Sequence, residues 1–363
     1  MKFSSPWARA TLAVIILCAI IIPSTNITQE AEDAYDRAAY EALLASMPTP
    51  APATPSPVPS PTPEQTASYS ATPAPVITEA PTELPELVFE LPMDTYAGGY
   101  APQADGFFDT EVTLPDGTVI DAEGYSDPTI EAIYYEQRYY SADCHFVRIK
   151  IKHPSQLRTA IAKEVVGSSR SVTSKMAAAK NAVVAINGEF YTQRESSVFI
   201  VKQSQMIKSS PASKLHQLII DTSGNFHITT SKSDSAAMIQ QLNGQIYQGF
   251  SFGPALVVDG EMRDYPGYYF DADSGNPRTC IGQLGELEYL LCVVDGRTDD
   301  DRGMNTTRLA GIMAEKGCIN AYNLDGGGSS TLYWHGKVVN SVNKSGAERD
   351  ISDCVYFASA WPN

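Results

Sequence analysis

The chain has 363 residues, with 26 Lys and Arg against 42 Asp and Glu, a net charge of −16. The excess acid is local: residues 38–137 hold 16 Asp or Glu and no Lys or Arg, and the remainder is balanced. With no basic stripe, nucleic acid is excluded as a partner. With no C-x-x-C pair and no H-E-x-x-H, so are zinc ribbons, thioredoxin-like redox motifs and zinc hydrolases.

In chain order, Lys2 and Arg9 precede an apolar run from Ala10 to Ile22 that Pro23 ends. A positive start and a short apolar core mark residues 1–23 as a signal peptide or signal anchor. About 20 apolar residues span a bilayer comfortably, and this run is shorter. The expected location is therefore extracytoplasmic, secreted or anchored to the membrane by the N-terminal segment. Residues 24–46 read as a short polar helix. Residues 47–93 form a proline-rich, acidic linker that cannot bury a core and favours extended polyproline II.

Residues 94–363 read as the folded domain. Asp116-Gly117 predicts a hairpin within LPDGTVID. HFVRIKIKH (145–153) alternates and predicts a strand, SVTSKMAAAKN (171–181) a helix, and AVVAIN (182–187) a buried strand. FSFGPALVVDGE (250–261) holds a strand that turns at Asp259-Gly260. PRTCIGQ and EYLLCVVDG predict paired strands around Leu284-Gly285. Thr306 to Lys316 predicts a helix with Gly317 as its left-handed stop. INAYNLD (319–325) is a buried strand, and STLYWHGKVVNS (330–341) a hairpin at His335-Gly336. The fold class expected is mixed α/β (α+β): a single domain with a large, partly antiparallel sheet flanked by helices, on a disordered proline-rich stalk. Five cysteines follow the signal segment, four of them in buried-looking runs; free buried thiols are the favoured state.

Several buried strands end in a polar residue followed by glycine: Asn187-Gly188, Asp295-Gly296, and Asp325 followed by Gly326, Gly327, Gly328, Ser329 and Ser330. A strand fixes a carboxylate at its tip, and glycines let backbone approach a ligand closely. A single Asp-Gly is ordinarily a turn. Three glycines directly after a buried-strand Asp exceed what a hairpin needs. Their consecutive N–H groups suit an anion nest. No Gly-Lys-Ser/Thr follows, so this is not a P-loop, and G-x-S-x-G is absent.

AVVAINGEFY, FSFGPALVVDGE, NPRTCIGQ, the run from LLCVVDGR through NLDGGGSSTLYWHGKVVN, and RDISDCVYF occur in that order. Over about residues 182–357 they resemble the phosphodiester glycosidase family, whose bacterial members are often labelled exopolysaccharide-related. The resemblance implies hydrolysis of a sugar-1-phosphodiester, N-acetylglucosamine-1-phosphodiester-like, in cell-envelope or extracellular glycans. The matched polar positions include Asn187, Arg278, Asp295, Arg297, Asp325, Ser329, Ser330 and Arg349. The departing phosphate monoester has a second pKa of about 6 and leaves ionised. The site therefore needs less of a strong general acid than a phosphate grip and a carboxylate at the anomeric carbon. Arginine matches phosphate geometry. Arg278, Arg297 and Arg349 are thus candidate phosphate ligands with the Gly326–Ser330 loop and Asn187, and Asp325, Asp295 and Glu189 are candidate catalysts.

No cofactor is expected. Asp299, Asp300 and Asp301 offer clustered carboxylates to a divalent cation such as Ca2+, but a solvated acidic loop is favoured. The competing readings are a phosphodiesterase that cuts the P–O bond of glycan or teichoic-acid-like polymers, and a non-catalytic glycan-binding module.

Overall fold

The computed structural model describes residues 90–92, 94, 96–167, 169–189, 198–210, 214–342 and 346–362. The signal segment, the polar helix and all but the last residues of the linker lie outside them. So does Tyr191, a candidate for stacking on a sugar. Leu87–Asn363 make up one compact unit. Among the described residues no helix is long and apolar enough to cross a membrane.

The unit holds three sheets. The first has nine strands in the order Phe107–Thr113, Val119–Asp127, Ile130–Tyr139, Ala142–Ile151, Glu288–Val294, Arg278–Gly285, Asn320–Asn323, Ala255–Val258 and Glu261–Met262. The second has five, Phe226–Thr229, His216–Asp221, Ile246–Phe252, Phe199–Lys202 and Gln205–Ser209. The third runs Lys337–Val338, Leu332–Trp334, Ala182–Asn187, Asp353–Ala358 and Leu157–Ile161. The expectation of one large, partly antiparallel sheet is corrected here. The strands divide among three sheets, and every pairing described within them is antiparallel. The α/β balance also shifts, because among the described residues only three α-helices occur.

Side chains alternate across a strand, so one strand feeds two cores. Leu291 and Val293 face a central core shared with Ile220 and Phe250 of the second sheet and Ile186 and Phe357 of the third. Their neighbours Leu290, Cys292 and Val294 face the other way, against Leu309, Ile312 and Met313 of helix Thr306–Glu315. Helix Thr173–Ala179 covers the outer face of the third sheet through Met176 and Ala177. Helix Lys232–Leu242, which the sequence reading did not anticipate, covers the second through Leu242, with Met238 and Ile239 packed beside it. Inner faces meet, and each outer face carries one helix. This two-sided burial explains why Ala182–Asn187 and Asp353–Ala358 are buried at every residue.

Local chemistry sets the boundaries. Asn305 accepts the Arg308 N–H as an N-cap, and Gly317 stops the helix at φ +84°. Ser231 caps Lys232–Leu242, which ends at Asn243 and Gly244, both in the left-handed region. Cys144, Cys280, Cys292, Cys318 and Cys354 are free and buried.

Candidate active site

Antiparallel pairing gathers the polar tips at one edge. Arg278 opens its strand opposite Val294, the last residue before Asp295, and Cys280 pairs with Asn323, two residues before Asp325. Asn187 ends its own strand and joins the third sheet to this edge. Its Nδ2 donates to the Asp325 carbonyl at 2.6 Å and the Gly188 carbonyl at 3.2 Å. Its Oδ1 accepts from Thr279 Oγ1 at 2.7 Å and the Thr331 N–H at 3.2 Å. Asn187 is fully used as a clamp.

A cavity of about 280 Å³ opens at this edge, lined by Asp325, Gly326, Gly327, three arginines (278, 297 and 349), Asn276, Asp271, Phe252 and Phe270. The three glycines are explained one at a time. A Cβ on Gly326 would lie 2.7 Å from the Pro277 carbonyl oxygen. One on Gly327, whose φ is +61°, would lie 3.1 Å from Arg297 Nη1, and one on Gly328 2.5 Å from Arg349 Nη2. Their bareness lets two guanidinium groups lie against the loop backbone.

The anion nest expected of this loop does not form. The Gly326 N–H donates to Asp325 Oδ1 (3.0 Å), and the Gly327 N–H to the Pro277 carbonyl (2.8 Å). The Ser329 and Ser330 N–H groups close a short 3-10 turn onto the Gly326 and Gly327 carbonyls. Charge in the cavity comes from side chains instead. Arg297, at φ +59°, is steadied by Asn276 Oδ1, which accepts from its Nε (3.1 Å) and Nη2 (2.6 Å). Arg349 is exposed and reaches Ser329 Oγ at 3.4 Å. Arg278 is buried and donates to main-chain oxygens: Nε to Met304 (2.9 Å), Nη2 to Asp271 (2.7 Å), Ser274 (2.7 Å) and Ala272 (3.3 Å). Burial pulls its pKa down to about 10. Asp325 is held above the ordinary carboxylate range by burial, against the opposing pull of a Ser329 hydrogen bond and the Arg349 charge.

The other strand-tip carboxylates are spent on protein partners. Asp295 Oδ2 is 3.0 Å from His145 Nε2. Its oxygens also accept the Ser341 N–H (3.0 and 3.1 Å) and Asn340 Nδ2 (3.3 Å). Glu189 lies beside the Asn187-Gly188 clamp but outside the cavity lining. It joins Lys202 and Asp353 in a fully buried cluster that sequence reasoning missed: Lys202 Nζ is 2.9 Å from Glu189 Oε1 and 2.8 Å from Asp353 Oδ2. Burial, with Asp353 beside it, pushes the Glu189 carboxyl up to about 7. Burial works against the Lys202 ammonium, but the two carboxylates outweigh it and hold its pKa above the usual range. A visible signal did exist: Lys202 closes the apolar run Val198 to Val201, and a charge there demands a buried partner. Ser330 is buried and outside the cavity lining, its hydroxyl without a partner among the described residues. Asp301 pairs with Arg138 at 3.0 Å and accepts from Thr298 Oγ1 at 3.1 Å. Tyr333 and Trp334 are buried packing residues.

Residues 180–358, just under half of the chain, match the family model described as phosphodiester glycosidase. The chain thus carries a domain of the phosphodiester glycosidase family. The SPbeta prophage-derived uncharacterized protein YomE of Bacillus subtilis is 35% identical over 105 residues, 29% of this chain and 16% of that protein. The N-acetylglucosamine-1-phosphodiester alpha-N-acetylglucosaminidase of Mus musculus is 36% identical over 98 residues, 27% of this chain and 18% of that protein. The chain therefore spans less than a fifth of the length of these relatives. Among solved structures, the zebrafish N-acetylglucosamine-1-phosphodiester alpha-N-acetylglucosaminidase catalytic domain auto-inhibited by pro-peptide aligns with a TM-score of 0.49 at 19% identity. That alignment covers 72% of this chain and 87% of that one.

Proposed function

We propose that the protein is an extracytoplasmic hydrolase that splits a sugar-1-phosphodiester, N-acetylglucosamine-1-phosphodiester-like, in cell-envelope or extracellular glycans. The observation that carries this reading is the company Asp325 keeps. A strand-tip carboxylate with a raised pKa shares a cavity with three arginines and two phenylalanines. Arg297 and Arg349, bedded against Gly327 and Gly328, take the phosphodiester oxygens. Asp325 accepts a proton from the water that attacks C1. Its raised pKa makes it a stronger base than an ordinary carboxylate. The C1–O bond breaks, its electron pair leaves on the phosphate monoester, and the arginines hold the developing charge. Asn187 fixes the Asp325 backbone for this step. The apolar run Ala10–Ile22 and the proline-rich linker support placement outside the cytoplasm, with the N-terminal segment as membrane contact.

The test is hydrolysis of an N-acetylglucosamine-1-phosphodiester in 18O-labelled water, by the wild type and by Asp325→Asn. The expected result is label in the released sugar, and loss of at least about a thousandfold in kcat in the variant with its melting temperature kept. Label in phosphate would establish P–O cleavage. Wild-type turnover in Asp325→Asn would remove Asp325 from the chemistry. No binding and no turnover of any sugar phosphodiester by the wild type would refute the assignment.

A further inference from the structure

We propose that Phe270, held against Phe252, is the platform for the apolar face of a pyranose ring, and that Arg278 is the positioning residue that keeps it there. The inference rests on reading the cavity as a sugar-phosphodiester site, and it assigns the end of that cavity which the phosphate ligands leave unexplained.

Phe252 and Phe270 stack at 4.4 Å between ring centroids and 16° between planes, and both line the cavity. Phe252 is buried at the end of its strand, whereas Phe270 is only half-buried. An apolar ring in a cavity otherwise rich in arginine has no charged or hydrogen-bonding work to do there. It suits the C–H face of a sugar, which presents apolar surface of matching size.

The backbone shows how firmly the ring is placed. Phe270 (φ +62°) and Asp271 (φ +52°) lie consecutively in the left-handed region, which side-chain-bearing residues leave unless their surroundings hold them. Arg278 is what holds them. Its Nη2 donates to the carbonyls of Asp271, Ala272 and Ser274, and its Nε ties the same clamp to Met304. A planar guanidinium spans these acceptors, and an ammonium point charge does not. Phe252 is secured from the other side. Tyr268 donates its hydroxyl proton to the Phe252 carbonyl at 2.7 Å and accepts the His216 N–H at 2.8 Å. Arg278, matched in sequence as a phosphate ligand, is thereby assigned to the sugar end through the loop it clamps. Arg297 and Arg349 remain for the phosphate.

The experiment separates the two ends with half-probes on the full chain: N-acetylglucosamine for the sugar end and diethyl phosphate for the other. Binding is followed by ligand-observed NMR, beside KM and kcat for the intact diester. In Phe270→Ala, KM and the dissociation constant for the sugar should rise about tenfold. Diethyl phosphate binding should stay within about twofold. Arg278→Lys should reproduce that pattern. Phe270→Leu, which keeps apolar bulk and guards against misfolding of the alanine variant, should fall between. Sugar binding unchanged in Phe270→Ala, or wild-type behaviour of Phe270→Leu, overturns the platform. Loss of diethyl phosphate binding in Arg278→Lys, equal to its loss of sugar binding, overturns the positioning role and makes Arg278 a phosphate ligand. A wild type that turns over the diester while Phe270→Ala is unaffected refutes this inference alone. A wild type that binds neither half-probe refutes it together with the functional reading.

Discussion

Two carboxylate sites lie on either side of Gly188, and they are built on opposite terms. In the inner one, Glu189 and Asp353 share Lys202 with every side chain fully buried. In the outer one, Asp325 faces a cavity whose cations are two exposed arginines, Arg297 and Arg349, and a buried third, Arg278. The two are linked through backbone. The Gly188 N–H donates to the Asp353 carbonyl at 2.9 Å, and the Gly188 carbonyl accepts the Asp325 N–H at 3.3 Å. A Cβ on Gly188 would sit 2.6 Å from Asp353 Oδ1. A closed charge cluster ties together the strand ends at Lys202 and Asp353; an open one leaves its charges to act on something else. The difference predicts that substitutions inside will act on stability and substitutions outside on substrate.

The sharpest way to break that contrast is Lys202→Met. It removes the cation that two buried carboxylates share, and breaking a buried pair costs about 3–5 kcal/mol. Chemical denaturation should show a loss of that order, growing with pH because the stranded carboxylates can escape only by taking up protons. Folded material that remains should keep its KM. A variant as stable as the wild type, with KM raised, would move Lys202 into the working site.

Gly328→Ala tests the outer site by crowding alone. The added methyl would meet Arg349 at 2.5 Å, and Arg349 is an exposed, flexible side chain that can swing aside. Gly328 is itself buried, but the atoms its methyl would meet are the movable end of a side chain, so stability should fall by no more than about 1 kcal/mol. KM for a phosphodiester should rise several-fold, roughly up to tenfold, as one charge-assisted contact is displaced. An unchanged KM would remove Arg349 from phosphate binding.

How far these sites were legible depends on which kind of partner each residue has. Asp325 could be singled out because three glycines after a buried run have no other use. AVVAIN appears as a strand over Ala182–Asn187, the same residues that its unbroken apolar character marked. The hairpin at His335-Gly336 and the stop at Gly317 were equally readable, since both need left-handed backbone. The division into three sheets was not readable, because alternation tells which face a side chain takes and not which strand lies beside it. What Arg278 donates to could not be read, because its acceptors are main-chain carbonyls, which leave no trace in a sequence. Asp295 and Asp325 look alike as strand-tip Asp-Gly pairs. What separates them is His145, Asn340 and Ser341, which are remote in the chain. Lys202 carried a signal in closing an apolar run, but its partners Glu189 and Asp353 are joined to it only by the fold.

The two sites also differ in their protons. The Glu189 carboxyl is pushed up to about 7 in the folded protein by burial and Asp353, and Lys202 offsets this only in part. Asp353 is raised as well, chiefly by burial, and among the described residues Tyr322, Asp325 and Cys354 are further ionisable groups beside the pair. In the unfolded chain a glutamate titrates near 4.3. Between those values the folded state holds a proton that the unfolded state has released. Raising the pH through this window therefore lowers stability, the reverse of what an ordinary ion-paired carboxylate does. Stability is complete below about pH 4.3 as far as this group is concerned, and its contribution is lost by about pH 7. Glu189→Gln carries a neutral group of the same shape and should flatten that part of the profile, measured as melting temperature from pH 4.5 to 7.5. It should leave in place the pH dependence of kcat, which the proposed mechanism assigns to Asp325. If Glu189→Gln instead moved the kcat profile and left the stability profile alone, the inner cluster would be part of the working site.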